Sequence, residues 1–296
     1  MFKNNKGQKL ARLLAEHARL FRCPLCAQPM KLVEEKSLVC RSNHCFDLSS
    51  RGYINFLTQA HKSKYDKGLF ASREMLFRHG AFDPLIAHIG ATLAEAVGND
   101  GDHPITLLDA GCGEGSHLAK LQKSIERHTA RPALGVGLDI AKDGIVRAAK
   151  KSAHALWGVA DLANSPLADN TFDIVLNILS PSNYTEFLRV LKDDGMIVKV
   201  VPGSTHLQEL RERFRKQARR EASSNEAVLD HFARHVGLLS VKRMKYKSTL
   251  EEEAREALIR MTPLSWEVPQ ERMQQVLDEQ PFEITFDFTI LLGKQR

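Results

Sequence analysis

Between residues 105 and 201, apolar runs of strand length alternate with amphipathic stretches, and this alternation restricts the fold more than any other feature of the chain. The runs are Ile105–Leu108, Ala133–Asp139, Ala155–Asp161, Thr171–Leu179 and Met196–Val201. Thr171–Leu179 is almost continuously apolar, as a strand covered on both faces should be. Helical spacing occupies Ser116–Leu121 and Tyr184–Leu191, and Asp194-Gly195 reads as a turn. Such alternation predicts a doubly wound, largely parallel α/β sheet that binds its ligand across the carboxyl ends of the strands. Further on, Leu238–Tyr246 and Phe282–Leu292 alternate like an antiparallel edge pair, separated by helical patterns at Leu250–Met261 and Gln270–Asp278.

The first run ends in Asp109-Ala110-Gly111-Cys112-Gly113-Glu114-Gly115 and a helix follows. Glycines there permit positive φ and let a ligand approach bare backbone, while the helix N-terminus offers unpaired N–H groups. The spacing is GxGxG, not the GxGxxG of dinucleotide sites, and a carboxylate precedes it. That carboxylate would repel a pyrophosphate but not a cofactor with a cationic amino-acid end. Asp139 and Asp161 also stand at strand ends, and Asp139 occupies the position from which Rossmann-like folds hold a ribose. Each acid alone could be a helix cap. Three in register with one glycine loop read better as a binding site.

Four of the five cysteines fall within 23 residues, at Cys23, Cys26, Cys40 and Cys45. Cys23-Pro24-Leu25-Cys26 is a CxxC knuckle, and Cys40 with His44 and Cys45 completes the spacing of a closed structural zinc site. The fourth ligand is His44 or Cys45, and spacing does not choose between them. Phe46–Leu48 and Gly52–Leu57 alternate like short strands, so residues 1–60 read as a basic segment plus a small zinc-ribbon-like module. Residues 61–80 read as a basic connector and a helix, and 81–296 as the main domain. The fifth cysteine, Cys112, sits inside the glycine loop and reads as a small buried filler.

A chain of 296 residues with 43% hydrophobic and 26% charged residues has ample material for a core, which excludes disorder, collagen and coiled coil as its main class. No apolar run reaches the roughly 18–20 residues of a membrane span. Arg12, Glu16 and Arg19 interrupt Leu10–Phe21 before it can form a signal-peptide core, so a cytoplasmic location is expected. Residues 1–80 hold 15 lysines and arginines against 6 acids, an excess larger than the whole chain's net +6, so the positive charge lies in front. Lys3, Lys6, Lys9, Arg12, Arg19, Arg22, Lys31, Arg41, Arg51, Lys62, Lys64 and Lys67 could track RNA phosphates, or be merely solvated. A second group, Arg211, Arg213, Arg215, Lys216, Arg219 and Arg220, is interleaved with Glu209, Glu212 and Glu221 and reads as a salt-bridged exposed helix.

Asp109–Gly115, followed by Asp139, Asp161 and the Pro166–Asp173 approach to the fourth strand, resembles the class I S-adenosylmethionine-dependent methyltransferase fold, Rossmann-like in its sheet. With the Cys-Pro-Leu-Cys knuckle, Cys40, His44, Phe46-Asp47, Gly52-Tyr53, Pro202-Gly203, His206-Leu207, Met261-Thr262-Pro263 and Trp266, the whole chain resembles the bacterial 23S ribosomal RNA guanine-N1 methyltransferases of the RlmA type, including tylosin-resistance relatives. The resemblance implies zinc held by Cys23, Cys26, Cys40 and His44, which leaves Cys45 outside. It implies S-adenosylmethionine contacts from the glycine loop (Gly111, Gly113, Gly115 and Ser116), from Phe82 and from His206, beside the strand-end acids Asp109, Asp139 and Asp161 already read as cofactor contacts. It also implies a 23S rRNA hairpin as substrate and a homodimer. Ser116-His117 departs from the family, which usually has an aromatic residue after the loop glycine.

Methylating guanine N1 requires the base to leave its stack and to lose a proton. Ser180–Tyr184 follows the fourth strand, so Tyr184 is expected to stack on the base while Ser182 and Asn183 hydrogen-bond to it. The competing reading of Ser182 and Asn183 is a polar turn capping the next helix. No general base is named by the sequence. Thr262-Pro263 and Trp266 are expected to edge the substrate cleft. Two other functions compete with this one: a methyltransferase for a small molecule or protein, and a non-catalytic zinc and RNA-binding protein.

Overall fold

In the computed structural model, described for residues 6–59, 61, 65–98, 101, 103–214, 225–279 and 282–296, the N-terminal amphipathic segment is helix α1 (Lys6–His17), which buries Leu10, Ala11 and Leu14. Next, β1 (Met30–Val33), β2 (Ser37–Cys40) and β3 (Cys45–Asp47) make a small antiparallel sheet in the order β1-β2-β3. Strand β4 (Ile54–Asn55) follows. Helix α2 (Lys67–Arg78) is capped by Asp66, whose Oδ1 accepts from the Leu69 N–H at 2.8 Å, and α3 (Asp83–Val97) carries a proline in its first turn.

The main sheet alternates as the sequence predicts: β5 (Ile105–Ala110), α4 (Ser116–Thr129), β6 (Ala133–Asp139), α5 (Lys142–Lys151), β7 (Ala155–Val159), β8 (Phe172–Ile178), α6 (Tyr184–Val190) and β9 (Leu191–Pro202). Then come α7 (Gln208–Phe214), α8 (Glu226–His235), β10 (Gly237–Thr249), α9 (Glu252–Met261), α10 (Gln270–Asp278) and β11 (Glu283–Lys294). The eight strands lie in the order β10-β11-β9-β8-β5-β6-β7-β4. Pairing is parallel from β4 to β9, and β11 joins antiparallel to both β9 and β10. The order reverses at β5, which pairs with β6 on one side and β8 on the other, so a ligand crevice opens beyond its carboxyl end.

Two apolar clusters cover the two faces of this sheet. One joins α2, α3, α4, α5, α7, α9 and α10 to residues such as Leu107, Leu176 and Val198. The other joins α1, the small sheet, α6 and α8 to their strand neighbours Leu108, Val175 and Ile197. Alternation along each strand divides its side chains between the two. Trp157 is buried in the first cluster, and its indole N–H donates to the Ser152 carbonyl at 2.9 Å. Burying a ring of this size contributes on the order of 3 kcal/mol.

The structure differs from the sequence reading in two places, the Gly52–Leu57 strand and the second basic group. Gly52–Leu57 pairs with the ribbon only through an antiparallel bridge from Ile54 to Leu48, and Ile54 and Asn55 pair parallel with Gly158 and Val159 at the edge of the large sheet. The small sheet packs on the large one, since Cys23, Cys40, Met30, Leu38 and Phe46 share an apolar cluster with the sheet face. The second basic group is described only in part. Arg213 pairs with Glu279 beyond α10 at 2.5 Å, while the Glu209 carboxylate accepts from Thr285, so the ion pair and the acid of α7 reach to distant segments instead of pairing with each other along the helix. Lys3, Lys62, Lys64, Arg215, Lys216, Arg219, Arg220 and Glu221 lie outside the described residues.

Candidate cofactor loop and metal cluster

The turn after β5 is left-handed at Gly111 (φ +86°) and Gly115 (φ +78°). Both need glycine for space as well. A Cβ at Gly111 would lie 1.9 Å from Ser180 Oγ, and one at Gly115 would lie 2.5 Å from the Trp157 ring. Asp139 braces the loop, since its Oδ2 accepts from the Gly113 N–H and its Oδ1 from the Ala141 N–H, both at 2.8 Å. Burial raises its pKa against these stabilising bonds.

Buried polar atoms without partners gather around this turn. Asp109 Oδ2, Glu114 Oε1 and His117 Nε2 have none among the described residues. Burial pushes the Asp109 carboxyl up to about 7, with Arg73 opposing and Asp139 and Glu114 adding to the rise. Arg73 reaches in from α2, donates to His117 Nδ1 at 3.0 Å, and stands 3.9 Å from Glu114. Its Nη1 is 3.1 Å from the position of a Cβ at Gly113. Two carboxylates and a guanidinium around bare backbone suit a zwitterion, with an ammonium for the acids and a carboxylate for the arginine. S-adenosylmethionine ends in such a group.

The other residues assigned to the cofactor divide. Ser116 is occupied by protein: its Oγ donates to Glu114 Oε2 at 2.7 Å and accepts from Lys151 at 2.6 Å. Asp161 is exposed, and its Oδ1 accepts from the Ala163 N–H. Phe82 and His206 meet in one aromatic cluster, where Phe82 packs against Phe77, His117, Phe286 and Phe288 and His206 lies 4.8 Å from Phe288. His206 Nδ1 accepts from the Asp287 N–H, and burial lowers its pKa to about 4, so the ring is neutral.

The base-recognition trio is used differently from the expectation. Tyr184 is 3% exposed, with its ring against Phe187, Phe232, His231 and His235, so it has no free face for a base. Asn183 caps α6 by accepting from the Glu186 N–H, and Ser182 Oγ donates to the Tyr184 hydroxyl. The capping reading holds for Asn183. The structure brings forward three residues that the sequence does not single out: Arg73, Asn177 and Lys199. Arg73 has no distinguishing signal among the basic residues of its segment. Lys199 has one, a charge in the middle of the doubly covered run Met196–Val201.

At the other end of the fold, one ligand atom each from Cys23, Cys26, Cys40 and His44 lies within 4.8 Å of the others. Cys23 Sγ is 3.3 Å from His44 Nδ1, and Cys26 Sγ is 3.6 Å from Cys40 Sγ. A Zn–S length of about 2.3 Å in a tetrahedron places sulfurs roughly 3.8 Å apart, so the four atoms fit one ion. Cys45 stands outside the cluster and is exposed. The cluster leans on the sheet: the Arg22 N–H donates to the Pro166 carbonyl at 3.1 Å, and Asn164 Nδ2 donates to the Pro24 carbonyl at 2.8 Å. Both partners belong to the connection that leaves the carboxyl end of β7.

A parallel sheet that reverses order at a carboxylate-lined glycine loop, with a four-ligand ribbon docked beside it, defines a class I methyltransferase bearing a zinc ribbon. The N-terminal segment characteristic of RlmA matches residues 21–64, and a methyltransferase domain family matches residues 107–195. The "Putative 23S rRNA (guanine-N(1)-)-methyltransferase YxjB" of Bacillus subtilis (strain 168) is 42% identical over 93% of this chain and 96% of its own length. The 23S rRNA (guanine(748)-N(1))-methyltransferase of Streptomyces fradiae is 29% identical over 92% of this chain and 95% of its own. The chain belongs to the RlmA-type family of 23S rRNA (guanine-N1)-methyltransferases.

Proposed function

We propose that this protein transfers a methyl group from S-adenosylmethionine to N1 of a guanine in 23S ribosomal RNA, working in the cytoplasm on a hairpin. The observation that carries the reading is the pairing on one edge of the sheet: the ribbon docks on the connection after β7, beside the glycine loop. Among the described residues no helix is long and apolar enough to cross a membrane.

When bound, S-adenosylmethionine supplies a methyl group already activated on a sulfonium. The chain's part is to aim and to exclude water. Asp109 and Glu114 would hold the ammonium and Arg73 the carboxylate, while Asp139, already bracing the loop, keeps lone pairs for the ribose hydroxyls. Cys23, Cys26, Cys40 and His44 would hold zinc, which stabilises a module too small to stand on its own apolar packing. Exposed Lys9, Arg12, Arg19, Lys31, Arg41, Arg51 and Lys67 remain available for phosphates. Lys6 and Arg22 do not serve in this way. Lys6 Nζ donates to the Ala149 and Lys150 carbonyls, and Arg22 pairs with Asp169 at 3.0 Å.

With Tyr184 occupied, base stacking passes to Tyr65 and Trp266. They are 48% and 46% exposed and meet edge-on at 6.1 Å, and Tyr65 lies against Phe70, whose ring reaches Gly113 of the glycine loop. Stacking on an aromatic contributes about 1–3 kcal/mol per base. Trp266→Ala is therefore expected to weaken RNA binding about tenfold while leaving S-adenosylmethionine affinity unchanged, as read by fluorescence anisotropy and calorimetry. A homodimer fits the long edge strand β10, where Leu238, Leu239 and Val241 are exposed.

The function is tested by reverse transcription through 23S rRNA after incubation with the protein and S-adenosylmethionine. A methyl on the pairing edge of guanine should stop the copy at one guanine and add one methyl to that fragment's mass. RNA copied without any new stop would end the reading.

A further inference from the structure

On the face of the sheet shared with the ribbon, β8 and β9 each end in an apolar series broken by one polar side chain. Asn177 is 0% exposed and Lys199 is 4% exposed, and the two are register partners. Lys199 Nζ donates to Asn177 Oδ1 at 2.5 Å and to the Ser180 carbonyl. Asn177 Nδ2 donates to the Ala110 carbonyl at 2.9 Å and to the Pro181 carbonyl at 3.0 Å. Ala110 is the last residue before the glycine loop. Ser180 and Pro181 form the turn after β8, and Ser180 Oγ lies against Gly111. One amine and one amide thus tie the turn to the loop at three carbonyl oxygens.

We propose that Lys199 is a positioning residue for methyl transfer: with Asn177 it fixes the Ser180–Pro181 turn, which walls the carboxyl edge of the sheet where the acceptor base must approach, at a set separation from the loop that holds the methyl donor. The proposal rests on the function given above. A bare structural role accounts poorly for a lysine here. Burial lowers its pKa to about 8, and no carboxylate bonds to it. Asp173 on β8 serves Lys192 and Thr106, Asp287 on β11 serves Arg243 and Thr205, and Asp109 Oδ2 on β5 has no partner. A methionine of similar length would fill the space without the loss of hydration. In-line displacement, by contrast, is sensitive to placement: a shift of about 1 Å can lower the rate about a hundredfold.

The test compares wild-type protein with Lys199→Met in single turnover, with RNA and S-adenosylmethionine saturating. The rate should fall about a hundredfold, while the Kd for each ligand stays within about threefold. Tm should move by no more than about 4 °C, since relief of a buried charge offsets two lost hydrogen bonds. Asn177→Leu should show the same pattern, and Lys199→Arg, which keeps charge and donors, should recover part of the rate. A Lys199→Met rate within about threefold of wild type overturns the proposal, as does a rate loss matched by an equal loss of cofactor affinity. If wild-type protein methylates some other acceptor, the substrate assignment falls, and the same rates measured on that acceptor still decide the role of Lys199.

Discussion

Gly111→Ala is expected to abolish methyl transfer while the protein remains folded. The added Cβ would stand 1.9 Å from Ser180 Oγ and 2.7 Å from Ser180 Cβ, far inside van der Waals separation, at a φ of +86°. The left-handed conformation alone costs alanine about 1 kcal/mol. Relief of the clash must come from one of the two segments that meet there. Loop and turn must be forced apart, against the bonds by which Asp139 holds the loop and Lys199 and Asn177 hold the turn. The loop is distorted, and methyl donor and acceptor lose their alignment. S-adenosylmethionine affinity is expected to fall by at least about tenfold and the single-turnover rate by at least about a thousandfold, about 4 kcal/mol in the barrier. Gly98→Ala is the control: its φ is +64° with nothing within 4 Å of the new Cβ, so it should lose about 1 kcal/mol of stability and none of the rate. Equal rates for the two variants would show that the meeting of loop and turn does not matter to the reaction.

The parts of the molecule legible in the sequence are those in which local pattern and tertiary role coincide. Leu107–Ala110 and Phe172–Ile178 are strands of a doubly covered sheet and read as such because burial on both faces leaves an apolar run. The cysteine cluster is legible because four ligands of one ion must come from two short turns, which confines their spacing. What escapes a sequence reading is settled by partners far away in the chain. Ile54-Asn55 is a two-residue strand that joins the large sheet because Gly158 and Val159 offer an unpaired edge. Tyr184 follows the strand end where a base-stacking ring would sit, yet α8, farther along the chain, lays His231, Phe232 and His235 against it. Asp139 stands where a ribose-binding acid is expected and spends both oxygens on backbone N–H groups, a second task that its position at a strand end does not announce. Lys199 stands out as a charge in an apolar run, but its hold on the Ser180 carbonyl depends on a turn that no periodicity places.

Loss of zinc should separate the two halves of the function. Cys23→Ser, or treatment with a strong chelator, is expected to reduce bound metal from one ion per chain to none, because a thiolate is deleted from a four-ligand set. Strands of four, four and three residues with few apolar side chains of their own cannot retain their pairing without it. Unfolding of the ribbon releases the bonds from Arg22 to Pro166 and from Asn164 to Pro24, and with them the connection after β7. The large sheet keeps its other face, where Leu107, Leu118, Ile145 and Trp157 belong to a separate apolar cluster. RNA affinity should therefore fall at least about tenfold as Lys31, Arg41 and Arg51 leave their fixed places, and the dependence of binding on salt should become shallower in proportion to the phosphates no longer neutralised. S-adenosylmethionine affinity should fall less than RNA affinity, because Asp109, Asp139 and the glycine loop take nothing from the ribbon, and only Asp161 sits on the released connection. Limited proteolysis, metal analysis and binding curves at several salt concentrations check each part. RNA binding that survives metal loss with an unchanged salt slope would move the phosphate grip off the ribbon and onto the edge strand β10, where exposed Lys242 and Lys245 line the opposite edge of the sheet.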